Sequence, residues 1–330
     1  MARIVYALGA SHSPMLTLDG KRWSERAADD MRNASLNTSD GRFLSYEELA
    51  RETGAPYGDV ATEARFLEVE AASQQVLDRI ADELEAIAPD VVLIVGDDQQ
   101  ELFSHANMPA ISIFYGDRIV MHPFEITDQS PSWLGAVTKG YAMDAAHAFT
   151  GHPALALDLV RGLIERDVDI GVSAQVDDPR KAGFGHAYGF VIERLFRGRA
   201  IPVVPILLNT YYPPNQLTAR RCHDIGRALR AAIEASTLPL KVAVAASGGL
   251  SHFIVDDVLD RKLLDALRTN DAATLRSIPQ GALNSGSSEI RNWIMVAGIA
   301  EGLHHNWSEY FPVRRTPAGT GTGVGFASWG

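Results

Sequence analysis

An α/β fold, with a central sheet covered by helices on both faces, is the class this sequence predicts. Two observations carry that prediction. Apolar stretches of strand length alternate with helical segments of about 10–15 residues through much of the chain. Residues 91–95 are also apolar without any polar alternation, the pattern of a strand buried on both faces.

The elements follow in order. Residues 3–9 are an apolar run ending at Gly9 and read as a first strand; the opening residues lack the charged-then-apolar layout of a signal peptide. Ser11, His12, Ser13 and Pro14 form the loop after it. Residues 17–60 are polar, rich in Arg, Asp, Ser and Gly, and read as an insertion with short helices over the core. Phe66, Val69, Ala72, Val76, Ile80, Leu84 and Ile87 recur at helical spacing, which predicts a long amphipathic helix over 62–88. Pro89 and Asp90 stop it. Strand 91–95 then runs into Gly96, Asp97, Asp98 and Gln99.

Further helices are expected over 153–165, from the 183–186 loop past Phe190 and Leu195, and over 217–235. Strands are expected over 168–174, 203–208 and 240–246, the last followed by Gly248-Gly249-Leu250-Ser251-His252. The last third reads as mostly helical, with 319–330 as a Gly-rich tail. No linker and no repeat interrupts the pattern, so residues 1–330 read as a single domain.

Composition narrows the function. The chain has 330 residues, 46% of them hydrophobic, enough for a large core. Its net charge is −11 and it has no basic run, which argues against nucleic acid as a partner. An acidic surface favours solubility and still permits an anionic substrate bound by a local cation. No apolar run approaches the roughly 20 residues of a membrane span. The single cysteine, Cys222, permits no intramolecular disulfide, which suits a reducing, cytoplasmic location. It reads as a structural residue. A homodimer is the expected assembly.

Ligands of open α/β sheets bind beyond the carboxyl ends of the strands. Four polar clusters fall there: Ser11-His12-Ser13, Asp97-Asp98-Gln99, His186 and Ser251-His252. One loop histidine usually caps or is solvated. Three in corresponding places across one sheet suggest acid/base or metal chemistry, because neutral imidazole serves both near pH 7. His105, His122, His147, His223, His304 and His305 lack that placement and read as structural. Asp97 and Asp98 also suit capping of the next segment. The run Gly319 to Gly323 has no following Lys and no strand-loop-helix frame, so it is no phosphate cradle.

Taken together, Ala10-Ser11-His12-Ser13-Pro14, Gly151-His152-Pro153, Gly185-His186-Ala187-Tyr188-Gly189, residues 202–209 with Tyr211-Tyr212-Pro213-Pro214, and Gly248-Gly249-Leu250-Ser251-His252 resemble the class III (LigB-type) extradiol ring-cleavage dioxygenases. The likeness is greatest to the branch acting on 3-O-methylgallate. It shares the insertion before residue 60, the Gly-Asp-Asp-Gln loop, Glu289-Ile290-Arg291-Asn292-Trp293 and the ending with Gly325-Phe326-Ala327.

The resemblance implies a single-domain LigB-like fold with a central mixed sheet. It implies cleavage of a catechol- or gallate-type ring, methoxylated or carboxylated, by Fe(II) and O₂, in the catabolism of aromatic or lignin-derived compounds. It places His186 and His252 as catalytic residues, and His152, Ser251 and Arg291 on the substrate, with Arg291 holding a carboxylate. His12 falls on a metal ligand. Where many members have Asp-His, this chain has Asp98-Gln99; where some have Glu after the Ser-His turn, it has Val258 beside Asp256 and Asp257. The metal set therefore falls on His12, Gln99 and Asp257, with Glu101 a further carboxylate in the region. The same departures open an alternative, a metal-independent lyase or decarboxylase of phenolic compounds, in which no cofactor is needed.

Overall fold

The computed structural model describes residues 1–330. Its strands are β1 (Arg3–Ala10), β2 (Leu36–Asn37), β3 (Phe43–Leu44), β4 (Val91–Asp97), β5 (Ile111–Phe114), β6 (Arg118–Val120), β7 (Ala148–Thr150), β8 (Gly171–Ser173), β9 (Val203–Leu208), β10 (Lys241–Ser247), β11 (His305–Arg314) and β12 (Gly321–Trp329). Its helices are α1 (Trp23–Asp30), α2 (Tyr46–Thr53), α3 (Glu63–Ile87), α4 (Leu134–Gly140), α5 (Pro153–Ile164), α6 (His186–Phe190), α7 (Ala219–Ala235), α8 (Asp257–Thr269), α9 (Ala272–Arg276) and α10 (Ile290–Ala300).

Eight strands form one mixed sheet in the order β11-β12-β1-β10-β4-β9-β5-β8. The central four, β1, β10, β4 and β9, are parallel. β12 and β11 extend one side antiparallel, and β5 joins β9 antiparallel on the other. Four carboxyl ends therefore meet at one sheet edge, and everything functional below hangs from that edge.

The unbroken apolar run of β4 explains the layering. Val91, Leu93 and Val95 point into a core shared with α5, α7, α8 and α10, while Val92 and Ile94 point into a core shared with α3 and α6. Successive side chains on a strand alternate faces, so a strand covered on both sides needs apolar residues at every position. Helix α3 starts where Thr62 accepts from the Arg65 amide and buries Phe66, Val69, Ser73, Leu77, Ile80 and Leu84. That stripe is turned from the predicted one: Ala72, Val76 and Ile87 are only half-buried, while Ser73 and Leu77 take the buried positions.

Three expectations change. The Gly-rich tail is strand β12, buried along its whole length and bonded to β1 on one side and β11 on the other. Its glycines serve close approach rather than looseness. A Cβ on Gly323 would lie 2.0 Å from the Asp260 carboxylate, and one on Gly325 would lie 2.6 Å from Leu250. The last third also contains β11, so it is not mostly helical. The strand expected over 168–174 contracts to β8, and β5 was not foreseen.

Residues 17–60 form α1, the β2–β3 ribbon and α2. A Ser45–Glu48 capping box starts α2 and Gly54 in the left-handed region ends it. This segment is tied to the core by an ion pair. Asp30 on α1 accepts from Arg315 at 2.8 and 2.9 Å and from Thr320 Oγ1 at 2.9 Å. Both charges are almost fully buried, 2% and 3% exposed. Removing one partner would strand the other, so Asp30→Ala is expected to cost about 3–5 kcal/mol. Urea unfolding measures it; a loss below about 1 kcal/mol would show that the pair does not anchor α1. No helix is long and apolar enough to cross a membrane.

Candidate metal centre and active site

The site grows from three strand ends and two helix starts. His12 lies two residues beyond β1. Asp97 is the last residue of β4, and Ser247 the last of β10. His252 ends the Gly248–His252 turn, His186 opens α6, and Glu289 immediately precedes α10. One donor atom each from His12, Asp97, His186 and Glu289 lies within 4.8 Å of all the others.

Hydrogen bonds fix which imidazole nitrogens face this cluster. The Ser247 hydroxyl donates to the Ala187 carbonyl at 2.6 Å. It is left to accept from His12 Nδ1 at 3.0 Å, so Nδ1 carries the proton. His252 Nδ1 faces the Leu250 carbonyl at 2.8 Å, which can only accept. His186 Nδ1 faces Glu101 Oε1 at 2.7 Å. All three Nε2 atoms are thereby turned toward two carboxylates: His12 to Glu289 Oε2 at 3.1 Å, His252 to Glu289 Oε1 at 3.4 Å, and His186 to Asp97 Oδ2 at 3.9 Å.

A neutral Nε2 lone pair facing a carboxylate oxygen is an acceptor against an acceptor. Something positive must sit between them, either a proton on each ring or a shared cation. The electrostatics of the cluster points the same way. Burial disfavours charge on His186, but Glu101, Asp97 and Glu289 hold its pKa up at about 10. Burial also opposes charge on His252, and Glu289 outweighs it. Burial would raise Glu289, but His12 and His252 pull it well below the usual carboxylate range. Asp97 is raised by burial and by the nearby charge of Glu289. Imidazole and carboxylate donors in this number suit a divalent transition metal such as ferrous iron. The donor set fits such an ion.

Outer contacts hold the ligating groups. The Gly249 amide donates to Glu289 Oε2 at 2.5 Å. Asn292 Nδ2 bridges Asp97 Oδ1 at 3.3 Å and the Ser247 carbonyl at 2.8 Å. Trp293 donates to the Gly248 carbonyl at 2.8 Å, and Gly9 makes room for its indole. Tyr141 OH donates to the His12 carbonyl at 2.5 Å. Beside the cluster opens a cavity of about 480 Å³. Its walls include Phe124, Trp133, Val137 and Met143, and it also reaches His122, Arg26 and Arg315.

Several sequence-derived assignments move. His12, His186 and His252 do meet in this cavity. Gln99 also lines it, but its amide nitrogen donates to Asp97 at 2.9 Å and Glu289 at 3.4 Å, so it bridges carboxylates rather than standing as a metal donor. Asp257 is elsewhere: it pairs with Arg314 and accepts from Tyr310 on a separate surface cavity. Its neighbour Val258 is 80% exposed. The Ser251 hydroxyl is consumed by Asp260 at 2.7 Å and the Asp256 amide at 2.7 Å. His152 caps α5, accepting from the Leu155 amide at 3.2 Å. Arg291 is fully buried and donates to the carbonyls of Leu217, Thr210, Leu283 and Ser288. None of these four lines the cavity, so none can touch a substrate there.

The carboxylates of the cluster that sequence reading left outside the metal set are Asp97 and Glu289. Asp97 and Asp98 divide the two roles considered for them. Asp98 caps the following turn, accepting from Gln100, Leu102 and Phe103, while Asp97 enters the cluster. For Glu289 a signal existed. Glu289, Asn292 and Trp293 stand at i, i+3 and i+4, one helix face, and Arg291 is turned away from it. His122, read as structural, also lines the cavity, its Nδ1 held by the Pro179 carbonyl at 2.7 Å.

A buried histidine–carboxylate cluster at the carboxyl edge of an α/β sheet, opening on an aromatic-walled cavity, is an arrangement that could hold a metal ion beside a bound aromatic ring. Residues 67–325, well over half of the chain, match the family described as the catalytic LigB subunit of aromatic ring-opening dioxygenase, and the chain belongs to that family. It is 32% identical over 173 residues to a 2,3-dihydroxyphenylpropionate/2,3-dihydroxicinnamic acid 1,2-dioxygenase of Mycobacterium ulcerans, covering 52% of this chain and 46% of the relative. It is 29% identical over 159 residues to a gallate dioxygenase of Pseudomonas putida, covering 45% of each. It is 31% identical over 188 residues to a 2,3-dihydroxyphenylpropionate/2,3-dihydroxicinnamic acid 1,2-dioxygenase of Xanthobacter autotrophicus, covering 56% of this chain and 50% of the relative. The chain spans about half the length of the curated relatives it matches.

Proposed function

We propose that this chain opens a catechol-type aromatic ring with O₂, using a ferrous ion held by His12, Asp97 and Glu289. The observation that carries the reading is the convergence of imidazole Nε2 atoms on two buried carboxylates beside an aromatic-walled cavity. Membership of the ring-opening family and relatives named as dioxygenases support it. A ferrous ion, when bound, supplies the one-electron chemistry that lets O₂ react with a catecholate.

The chain's own residues do the rest. His186 accepts a hydroxyl proton of the substrate on Nε2, since Glu101 occupies Nδ1, and returns it to the ring-derived product. Asp97 and Glu289 add to the influence of Glu101 in holding His186 protonated, and a cation paired with them would weaken their share and favour a free Nε2. His252 Nε2 hydrogen-bonds a phenolic oxygen at the cavity wall. Phe124, Trp133, Val137 and Met143 cover the ring and exclude water from it.

The metal-free lyase alternative rested on absent carboxylate and imidazole ligands. Asp97 and Glu289 offer two buried carboxylates beside His12, which supports the metal-dependent reading over the alternative. The test is oxygen uptake by protein loaded anaerobically with Fe(II) and given catechol or 3,4-dihydroxybenzoate. One O₂ consumed per ring opened is expected. Release of CO₂ without oxygen uptake would overturn the reading in favour of a decarboxylase.

A further inference from the structure

The cavity holds a cation that no protein group satisfies. Arg26 reaches it from α1, within the polar insertion. Its Nε is buried without a hydrogen-bond partner, and its guanidinium lies over the Trp133 ring, 4.3 Å from the centroid. The other charges of α1 are paired: Glu25 with Arg22, Asp29 with Arg32, and Asp30 with Arg315. Arg315, the second guanidinium on the cavity, is spent on Asp30 and Met15. Burial, and the charge of Arg315 beside it, make the cationic form of Arg26 less favourable than usual. An arginine has five donors and no acceptor, so a half-buried one with no carboxylate partner and a buried, unpaired Nε is ready to receive an anion.

We propose that Arg26 is the specificity residue that binds an anionic substituent, a carboxylate, on the aromatic substrate. This rests on the ring-opening reading above and adds the substrate class to it. The planar fork of a guanidinium matches a planar carboxylate through two parallel hydrogen bonds. Stacking on Trp133 fixes the plane of the fork beside the space where the ring lies. An acidic chain repels an anionic ligand overall, so a local cation must supply the attraction. The assignment replaces Arg291, which lies outside the cavity lining and donates from Nε and NH1 to backbone carbonyls.

The test compares 3,4-dihydroxybenzoate with its methyl ester, which keeps the ring and hydroxyls and loses the charge. Binding is read anaerobically by quenching of tryptophan fluorescence and by calorimetry. The wild-type chain is expected to prefer the acid by about tenfold to 100-fold, the usual range for hydrogen bonds to a charged group. Arg26→Met is expected to bring that preference to within about twofold of unity, and Arg26→Lys, which keeps charge without the fork, to leave it in between. A wild-type preference near unity would overturn the proposal even if the variants failed to fold. An unchanged preference in Arg26→Met would overturn it equally. Oxygen uptake measured in parallel separates the two readings: a chain that prefers the acid through Arg26 but consumes no O₂ keeps the anion site and loses the dioxygenase.

Discussion

Glu289→Gln is expected to lower ferrous-ion affinity on the order of 10²-fold or more and to leave ring opening at background. Glu289 is the hub of the cluster, with one oxygen toward His12 and the other toward His252. Partners that merely orient ligands typically carry 10- to 100-fold in metal affinity, so loss of the ligating carboxylate itself should cost at least as much. Glutamine keeps the shape and an oxygen for the Gly249 amide, so the fold should survive. Removing the charge also removes the main influence that raises His252, whose pKa should fall. A chelator competition under argon measures the affinity, and near-ultraviolet circular dichroism checks the packing. Affinity within about threefold of the wild type would show that Glu289 does not hold the metal.

His186→Ala is expected to lower turnover by about 10²-fold or more, the usual contribution of a positioned acid/base group. Iron content should stay at the wild-type level. The prediction separates two roles that geometry alone permits, because His186 also stands within the four-donor cluster. A residue that moves a proton can be lost without losing the metal; a ligand cannot. The Glu101 contact at 2.7 Å fits an orienting carboxylate behind the imidazole. Steady-state oxygen uptake and iron content of the same preparation decide between the roles. Unchanged turnover would remove His186 from the chemistry, and lost iron would make it a ligand.

The fold was legible where local pattern and burial agree. The apolar run of β4 and the helical spacing of α3 announce elements whose side chains face a core. Strand β12 was hidden because glycine signals a loop in isolation. Here it is selected by the carboxylate of Asp260 and the side chain of Leu250 lying where a Cβ would be. The histidines of the site were legible because each follows a strand end or opens a helix at the same sheet edge. The carboxylates were not. A strand-end position two residues earlier, Asp97 rather than Gln99, and a helix-start residue far along the chain, Glu289, come together only once the sheet and α10 are packed together. Arg291 drew attention as a cation in the right motif. One hundred degrees of helix rotation per residue turns it to the opposite side from Glu289 and Asn292.

The central claim is that one cation belongs among His12, Asp97 and Glu289. Anomalous diffraction at the iron absorption edge, from a crystal loaded anaerobically with Fe(II), tests it most directly. A single peak within bonding distance of His12 Nε2 and of carboxylate oxygens of Asp97 and Glu289 is the predicted result. A peak beside Asp257, or none near His12 at saturating iron, would contradict it.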